Sequence, residues 1–344
     1  MFSWQECTLY ESGVPGTGYR EIQALQLATR DSALLARALS VIDDGTSGLE
    51  DGLIQHPAGA MLVRFWGVRG STPTPQPENM RYGGNTSCVE VRVGNGLYIF
   101  DCGTGLRNLG KWLSNNAGPG VSAHIFISHF HWDHIQGIPF FTPLYDNAQN
   151  RFFFHSSSRT RSLQRVLEEQ MNEPYFPVDM GQMAAHRHFH DIGEGQIILE
   201  NCVLRTMALN HPQGCLGFRM ETPAGVLVYA TDNEPGQPLF DKQVRKLAEG
   251  ADVLIYDAQY LPDEYEACKR GWGHSHWREA VNVVMESGAK ELILFHHDPD
   301  HDDACIDRIV REAGNYYPRV RAASEGMEIE IGAPARSHAA AARK

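Results

Sequence analysis

The 344-residue chain contains no apolar run approaching the roughly 18 residues needed to cross a membrane. Its first residues, MFSWQECTLYESG, lack a basic segment followed by an apolar one, so no secretory signal is expected. Cysteine is sparse and unpatterned, with residues at positions 7, 88, 102, 202, 215, 268 and 305 and no C-x-x-C spacing. That pattern argues against a disulfide framework and for reduced thiols in a cytoplasmic protein. Basic residues are also in deficit: 30 Lys and Arg stand against 42 Asp and Glu, a formal charge of −12. No dense basic run occurs before the terminal ARSHAAAARK. Phosphate polymers are gripped by Lys and Arg, so a nucleic acid polymer is not the expected partner and a small anionic substrate is.

Within the chain, residues 1–60 differ from the rest. Ile22, Leu25, Leu27, Leu34, Leu35, Leu39 and Ile42 suggest one or two amphipathic helices, followed by the polar linker DDGTSGLEDG. This stretch is expected to be an N-terminal extension, helical or partly disordered, serving docking, homodimerisation or packing. From Met61 the text alternates strand, turn and helix. Strands are expected at 61–66, 88–93, 97–101, 123–128, 203–208, 215–220, 225–230, 252–256 and 291–295. Helices are expected at 105–114, 134–138, 160–171, 239–248, 276–287 and 303–313. Early β-meanders followed by β-α alternation imply an α/β domain over 61–332, two sheets with helices outside. The Ala- and Arg-rich residues 333–344 are expected to be a disordered tail.

The strongest chemical signal is ISHFHWDHIQG, residues 127–137. A strand runs out at Ser128, and four metal-ligand side chains follow on the turn. His129 and His131 are two apart and so point the same way from extended backbone; Asp133 and His134 turn toward a second point. Two adjacent metals suit that pattern, and imidazole with carboxylate favours Zn²⁺, with Mn²⁺ or Fe²⁺ as alternatives.

Nine segments in order resemble the metallo-β-lactamase fold superfamily. They are RFWGVRGSTPTP (64–75), RYGGNTSCVEV (81–91), FDCGTGLRNLG (100–110), ISHFHWDHIQG, LNHPQG (209–214), VYATDNEP (228–235), IYDAQY (255–260), GHSHWREAV (273–281) and FHHDPDHDD (295–303). The closest likeness is to the branch containing tRNase Z, phosphoribosyl cyclic phosphodiesterase and cyclic-nucleotide phosphodiesterases. The resemblance implies an αββα sandwich with two metals at one edge. It implies His211 as the third imidazole on the first metal, Asp232 as the bridging carboxylate, and His296 as the last imidazole on the second. His297, adjacent, is the alternative for that last position. Asp101 resembles the family's structural Asp that organises the site without touching metal. Because His131 stands where the oxygen-reducing relatives carry Glu, hydrolysis is implied rather than redox chemistry.

The function so implied is hydrolysis of a small phosphodiester, a cyclic nucleotide or cyclic ribose phosphate, by metal-bound hydroxide, with catalysis resting on Asp133, His274 and Asp257. GHSHW resembles the family's His-Ser-Thr element, making His274 the general acid, with Asp257 pairing to it. His276 replaces the usual Thr, and Asp257 the usual Glu. The alternatives are a tRNA 3′-end endonuclease, disfavoured by the lack of a long Gly/Pro-rich arm, and a thioester or lactone hydrolase of the glyoxalase or lactonase type. Substrate contacts are expected from Arg81 and Asn85 beside a Gly pair, and from Tyr175 and Phe176 as a lid. His186, His188 and His190 alternate as on an exposed strand edge, which is the preferred reading over a further metal site.

Overall fold

The apolar runs read from the sequence become strands of two seven-stranded sheets. The structure, a computed structural model, describes residues 59–118, 120–157 and 161–332. The extension expected within 1–60 (apart from its last two residues) and the tail expected from 333 lie outside the described residues.

The first sheet runs β14 (Glu328–Ile331), β1 (Met61–Gly67), β2 (Cys88–Val93), β3 (Gly96–Phe100), β4 (Ser122–Phe126), β5 (Arg151–Ser156), β6 (His186–Asp191). The second runs β13 (Val320–Ala322), β12 (Leu292–Phe295), β11 (Val253–Asp257), β10 (Gly225–Ala230), β9 (Cys215–Thr222), β8 (Cys202–Leu209), β7 (Gly195–Leu199). Each sheet mixes antiparallel pairs with parallel ones: β3 to β6 run parallel in the first, β10 to β13 in the second. β5, β7, β13 and β14 were not among the strands expected from periodicity, and β6 is the exposed edge read from the alternating His186, His188 and His190.

Central strands are buried on both faces, which is why they read as unbroken apolar runs rather than alternations. In β12, Ile293 and Phe295 face the opposite sheet while Leu292 and Leu294 face the helices. The inner core joins the two sheets through Phe65, Phe100, Phe126, Phe218 and Tyr229. Helices Pro238–Ala248, Trp277–Ser287 and Asp303–Gly314 cover the second sheet, and Gly105–Asn116 and Leu163–Glu169 cover the first. The layers are therefore helix, sheet, sheet, helix, as the resemblance implies. Helix starts follow local chemistry: the Asp302 carboxylate accepts from Cys305 N, and the His276 ring accepts from Glu279 N. Gly288, in the left-handed region, ends Trp277–Ser287.

Parallel β4, β10, β11 and β12 carry their C-terminal ends to one edge of the sandwich, and the motif residues follow directly after those ends. Asp101, Asp232 and His296 there hold left-handed backbone, with φ of 59°, 56° and 62°. Non-glycine residues persist in that region only where the surroundings over-determine them. No helix among the described residues is long and apolar enough to cross a membrane.

Candidate metal centre

Four strand ends deliver seven side chains to one point. His129, His131, Asp133 and His134 follow β4, His211 follows β8, Asp232 follows β10, and His296 follows β12. Among the described residues these form overlapping groups able to hold metal ions: His129, His131 and His211; His129, His134 and Asp232; and Asp133, His134 and His296. A further group joins Asp232, Asp257, His274 and His296.

The hydrogen bonds behind the rings establish which nitrogens carry lone pairs. His134 Nδ1 donates to Asp101 Oδ2 at 2.8 Å, so Nε2 is bare. His296 Nδ1 donates to Gln259 Oε1 at 2.9 Å, which leaves its Nε2 bare as well. His211 Nδ1 donates to Gly273 O at 2.7 Å. The Ser128 hydroxyl donates to Asp101 Oδ2 at 2.9 Å and so accepts from His129 Nδ1 at 3.0 Å. Each ring is thus held through one nitrogen and presents the other inward, the arrangement that orients metal-ligating imidazoles.

The inward atoms crowd without satisfying one another. His134 Nε2 and His296 Nε2 lie 3.2 Å apart. Both are 3.2 Å from Asp133 Oδ2 and 3.4 Å from Asp232 Oδ2. Four donors about 2.05 Å from a tetrahedral centre stand about 3.3 Å from one another, so these spacings match a cation-sized hole. On the other side, His129 Nε2 and Asp232 Oδ1 are buried with no hydrogen-bond partner, and lie 3.7 Å apart. His211 Nε2 is 3.0 Å from His131 Nδ1 and 3.8 Å from Asp232 Oδ1. Asp232 therefore turns one oxygen to each group. Orphaned buried polar atoms of this kind carry a desolvation cost that a bound cation would remove. The donor set fits two metal ions.

Proton affinities report the same field. Burial, which opposes charge on an imidazole, is outweighed at His134 by Asp133, Asp232 and Asp101, raising it well above the ordinary value. At His296 burial is likewise outweighed, chiefly by Asp232 and Asp133, to about 8. Asp133 and Asp232 are held well below the usual carboxylate range, their burial overcome by His134 and His296. At His129 and His211 burial wins, lowering the second to about 4. The pocket of carboxylates demands positive charge, and a proton takes the place that a dication would hold.

Asp101 is fully buried beneath this cluster. Its oxygens accept from Ser128 N (2.7 Å), Ser128 Oγ (2.9 Å), Tyr229 Oη (2.7 Å) and His134 Nδ1 (2.8 Å). Asp133 is oriented by Ser71 N at 2.8 Å. Asp257 accepts from Asp232 N at 3.0 Å, Gln259 N at 3.0 Å, Ser275 N at 3.2 Å and His274 Nδ1 at 3.0 Å. The His274 ring stacks on His296, centroids 5.0 Å apart, and lines the cleft of about 430 Å³ above the cluster. The carboxylate of Glu234 accepts from Gly271 N and Gly273 N and so shapes the loop that carries His274.

Other residues lie elsewhere. His297 turns away and donates to Ala323 O at 3.0 Å, so His296 is the one whose ring enters the cluster. Arg81 is bound to Asp307 on the surface, and Asn85 to Glu325; neither lines the cleft. Phe176 packs edge-on against Phe140, and Tyr175 is exposed. His188 and His190 sit on edge strand β6, stacked on Phe153 and His155. Tyr229 and Glu234 lie in VYATDNEP and Gln259 in IYDAQY, but no sequence signal singled them out, because their roles depend on contacts between distant segments.

The comparisons with known proteins agree with this geometry. The family model described as the beta-lactamase superfamily domain matches residues 98–297. A curated relative named Ribonuclease Z from Haloarcula marismortui is 26% identical over 330 residues, covering 80% of this chain and 98% of its own. One of the same name from Lactococcus lactis subsp. lactis is 26% identical, covering 79% and 100%. Among solved structures, the metallo-beta-lactamase fold protein YhfI from Bacillus subtilis aligns with a TM-score of 0.60 at 18% identity, covering 79% of this chain and 99% of that one. Human tRNase Z, short form, aligns at 0.56 and 20% identity, covering 78% and 99%. The chain is a metal-dependent hydrolase and belongs to the metallo-β-lactamase superfamily.

Proposed function

We propose that this hydrolase cleaves phosphodiesters, with two Zn²⁺ ions as its cofactors. His129, His131 and His211 would hold one ion, Asp133, His134 and His296 the other, and Asp232 both. Imidazole and carboxylate donors at tetrahedral spacing favour Zn²⁺, with Mn²⁺ and Fe²⁺ as the alternatives. When bound, the pair supplies Lewis acidity toward the phosphate oxygens and lowers the pKa of water to near neutrality.

The chain's own contribution to bond cleavage rests on His274 and Asp257. Because Asp257 accepts a hydrogen bond from His274 Nδ1, the ring is fixed in orientation and its Nε2 serves the cleft it lines. Protonated at Nε2, His274 would give that proton to the departing alkoxide, a role worth about 10² to 10⁴ in rate. Asp257 is a positioning residue: its three backbone donors hold it rigid beneath the ring. The His274–Asp257 pair at the rim of the metal cluster is the observation that supports phosphodiester cleavage, since the departing alkoxide needs a proton that a thiolate leaving group does not.

Two substrate classes follow. The curated relatives, matched along nearly their whole length, favour cleavage at an RNA 3′ end. The acidic balance of 42 to 30, with Arg81 engaged by Asp307, favours a small substrate such as a cyclic nucleotide as the second reading. The test is hydrolysis of a precursor tRNA bearing a 3′ trailer, beside a panel of cyclic mononucleotides, with metal content assayed throughout. Wild type, Asp133→Ala and His274→Ala are run together. Turnover that falls at least 100-fold in His274→Ala with metal content unchanged supports the reading. Two metals per chain without turnover of any phosphodiester would refute it.

A further inference from the structure

Helix Trp132–Ile135 follows the ligand turn, and three of its four residues are buried: Asp133, His134 and Ile135. The fourth, Trp132, is 78% exposed. Its indole has no hydrogen-bond or ring partner among the described residues. Nor does it stand apart from the chemistry. It lines the same cleft as His131, Asp133, Asp232 and His274, with half-buried Phe130 two residues before it. The cleft thus has a floor of candidate ligands and an aromatic wall supplied by the residue between His131 and Asp133.

We infer that Trp132 is a specificity-determining residue: its indole is a shelf on which the nucleobase attached to the bound phosphate stacks. The placement rests on the phosphodiester reading, because it is a phosphate over the cluster that brings its own base against the wall. Because wall and floor line one cleft of about 430 Å³, the base that stacks is assigned to the nucleotide carrying that phosphate. Every base has a π-face, so the shelf favours nucleotides over base-free phosphates without selecting one base. Tyr175 and Phe176 were the aromatic residues expected to contact substrate; neither lines the cleft.

The experiment uses the full chain loaded with Zn²⁺. Calorimetry compares binding of adenosine 5′-monophosphate with that of ribose 5-phosphate, in wild type, Trp132→Ala and Trp132→Phe. A single base–aromatic stack implies about a tenfold preference for the nucleotide. Trp132→Ala should lose that preference, leave ribose 5-phosphate within about twofold, and retain full metal content, whereas Trp132→Phe should keep most of the preference. Equal loss for both ligands in Trp132→Ala, or no loss for either, overturns the shelf. Hydrolysis of thymidine 5′-(4-nitrophenyl phosphate) against methyl 4-nitrophenyl phosphate is measured alongside. If neither diester is cleaved while the Trp132-dependent preference remains, the proposed activity fails and the shelf stands. If both are cleaved and Trp132→Ala slows them equally, the activity stands and the shelf fails.

Discussion

Asp101 offers the sharpest test of how the centre is held, because it is expected to touch no metal. Its Oδ2 accepts three hydrogen bonds, from Ser128 Oγ, Tyr229 Oη and His134 Nδ1, and its Oδ1 accepts one from Ser128 N. Asp101→Asn is nearly isosteric yet cannot reproduce this pattern. With the amide oxygen at the Oδ2 position, the NH₂ group faces the Ser128 N–H and leaves a buried donor unpaired, at about 1–3 kcal/mol. The three remaining bonds lose an ionised acceptor, and charge-assisted bonds are roughly twice as strong as neutral ones. A loss of about 3–5 kcal/mol in unfolding free energy is expected. The second effect is on the metals: His134 is no longer held firmly with its proton on Nδ1, and losing such an outer partner typically costs about 10- to 100-fold in affinity. Of two metal-binding steps, the one assigned to His134 should weaken most. The other should weaken less, since His129 is reached only through Ser128. Urea unfolding and Zn²⁺ titration against a competing chelator read the two effects separately. A variant with unchanged midpoint and unchanged metal affinities would refute the account of Asp101 as the organiser of both rings.

Other outcomes follow from the same structure. Because the cluster carries unpaired buried donors, metal should stabilise the fold by about 4 kcal/mol at a thousand times its dissociation constant; thermal melting with Zn²⁺ and with chelator measures this, and equal midpoints would contradict it. Gly273→Ala places a Cβ 2.4 Å from His211 Nδ1 and 2.3 Å from Pro212, at φ +86°. That variant should lose metal from the group containing His211 while Zn²⁺ at the group containing His296 is retained, as metal analysis would show. His124, which donates or accepts a 3.0 Å bond with His155, is lowered to about 4 by burial and then by His190. Its unfolded-state value is about 6.5, so between pH 6.5 and 4 the unfolded chain binds the extra proton. Stability from this group is full above 6.5 and declines as pH falls, by up to about 1.4 kcal/mol per pH unit. His124→Phe should flatten the slope of unfolding free energy over that interval; an unchanged slope would refute the assignment.

Much of the fold was legible because burial on two faces leaves long apolar runs, as in β10 and β12. Helix Pro238–Ala248 and helix Trp277–Ser287 fall within a residue of expectation, since capping and periodicity are local. β5 and β7 were missed for the opposite reason: β7 lies at a sheet edge and is half exposed, and RFFFHS in β5 shows no alternation, whereas β6 was legible in the alternation of His186, His188 and His190. The assignment of substrate contacts failed to coincide with the cleft for Arg81 and Asn85. Their partners, Asp307 and Glu325, lie 226 and 240 residues away, and no local pattern announces an ion pair or a hydrogen bond across that distance.

The sequence alone named the candidate metal ligands. H-x-H-x-D-H is a local spacing on one turn, whereas His211, Asp232 and His296 were implied by the resemblance of their motifs to the family. Only the tertiary structure decided what those residues can do. It brings His211 to His131 across 80 positions and His296 to His134 across 162. It also assigns each ring its proton through Asp101, Ser128, Gln259 and Gly273. Ligand identity is a property of a side chain, whereas tautomer, orientation and exposure belong to the neighbours that packing supplies. That is why His297 and His296, adjacent in the chain and identical in chemistry, part company at the site, and why Trp132 is exposed while Asp133 and His134 beside it are buried.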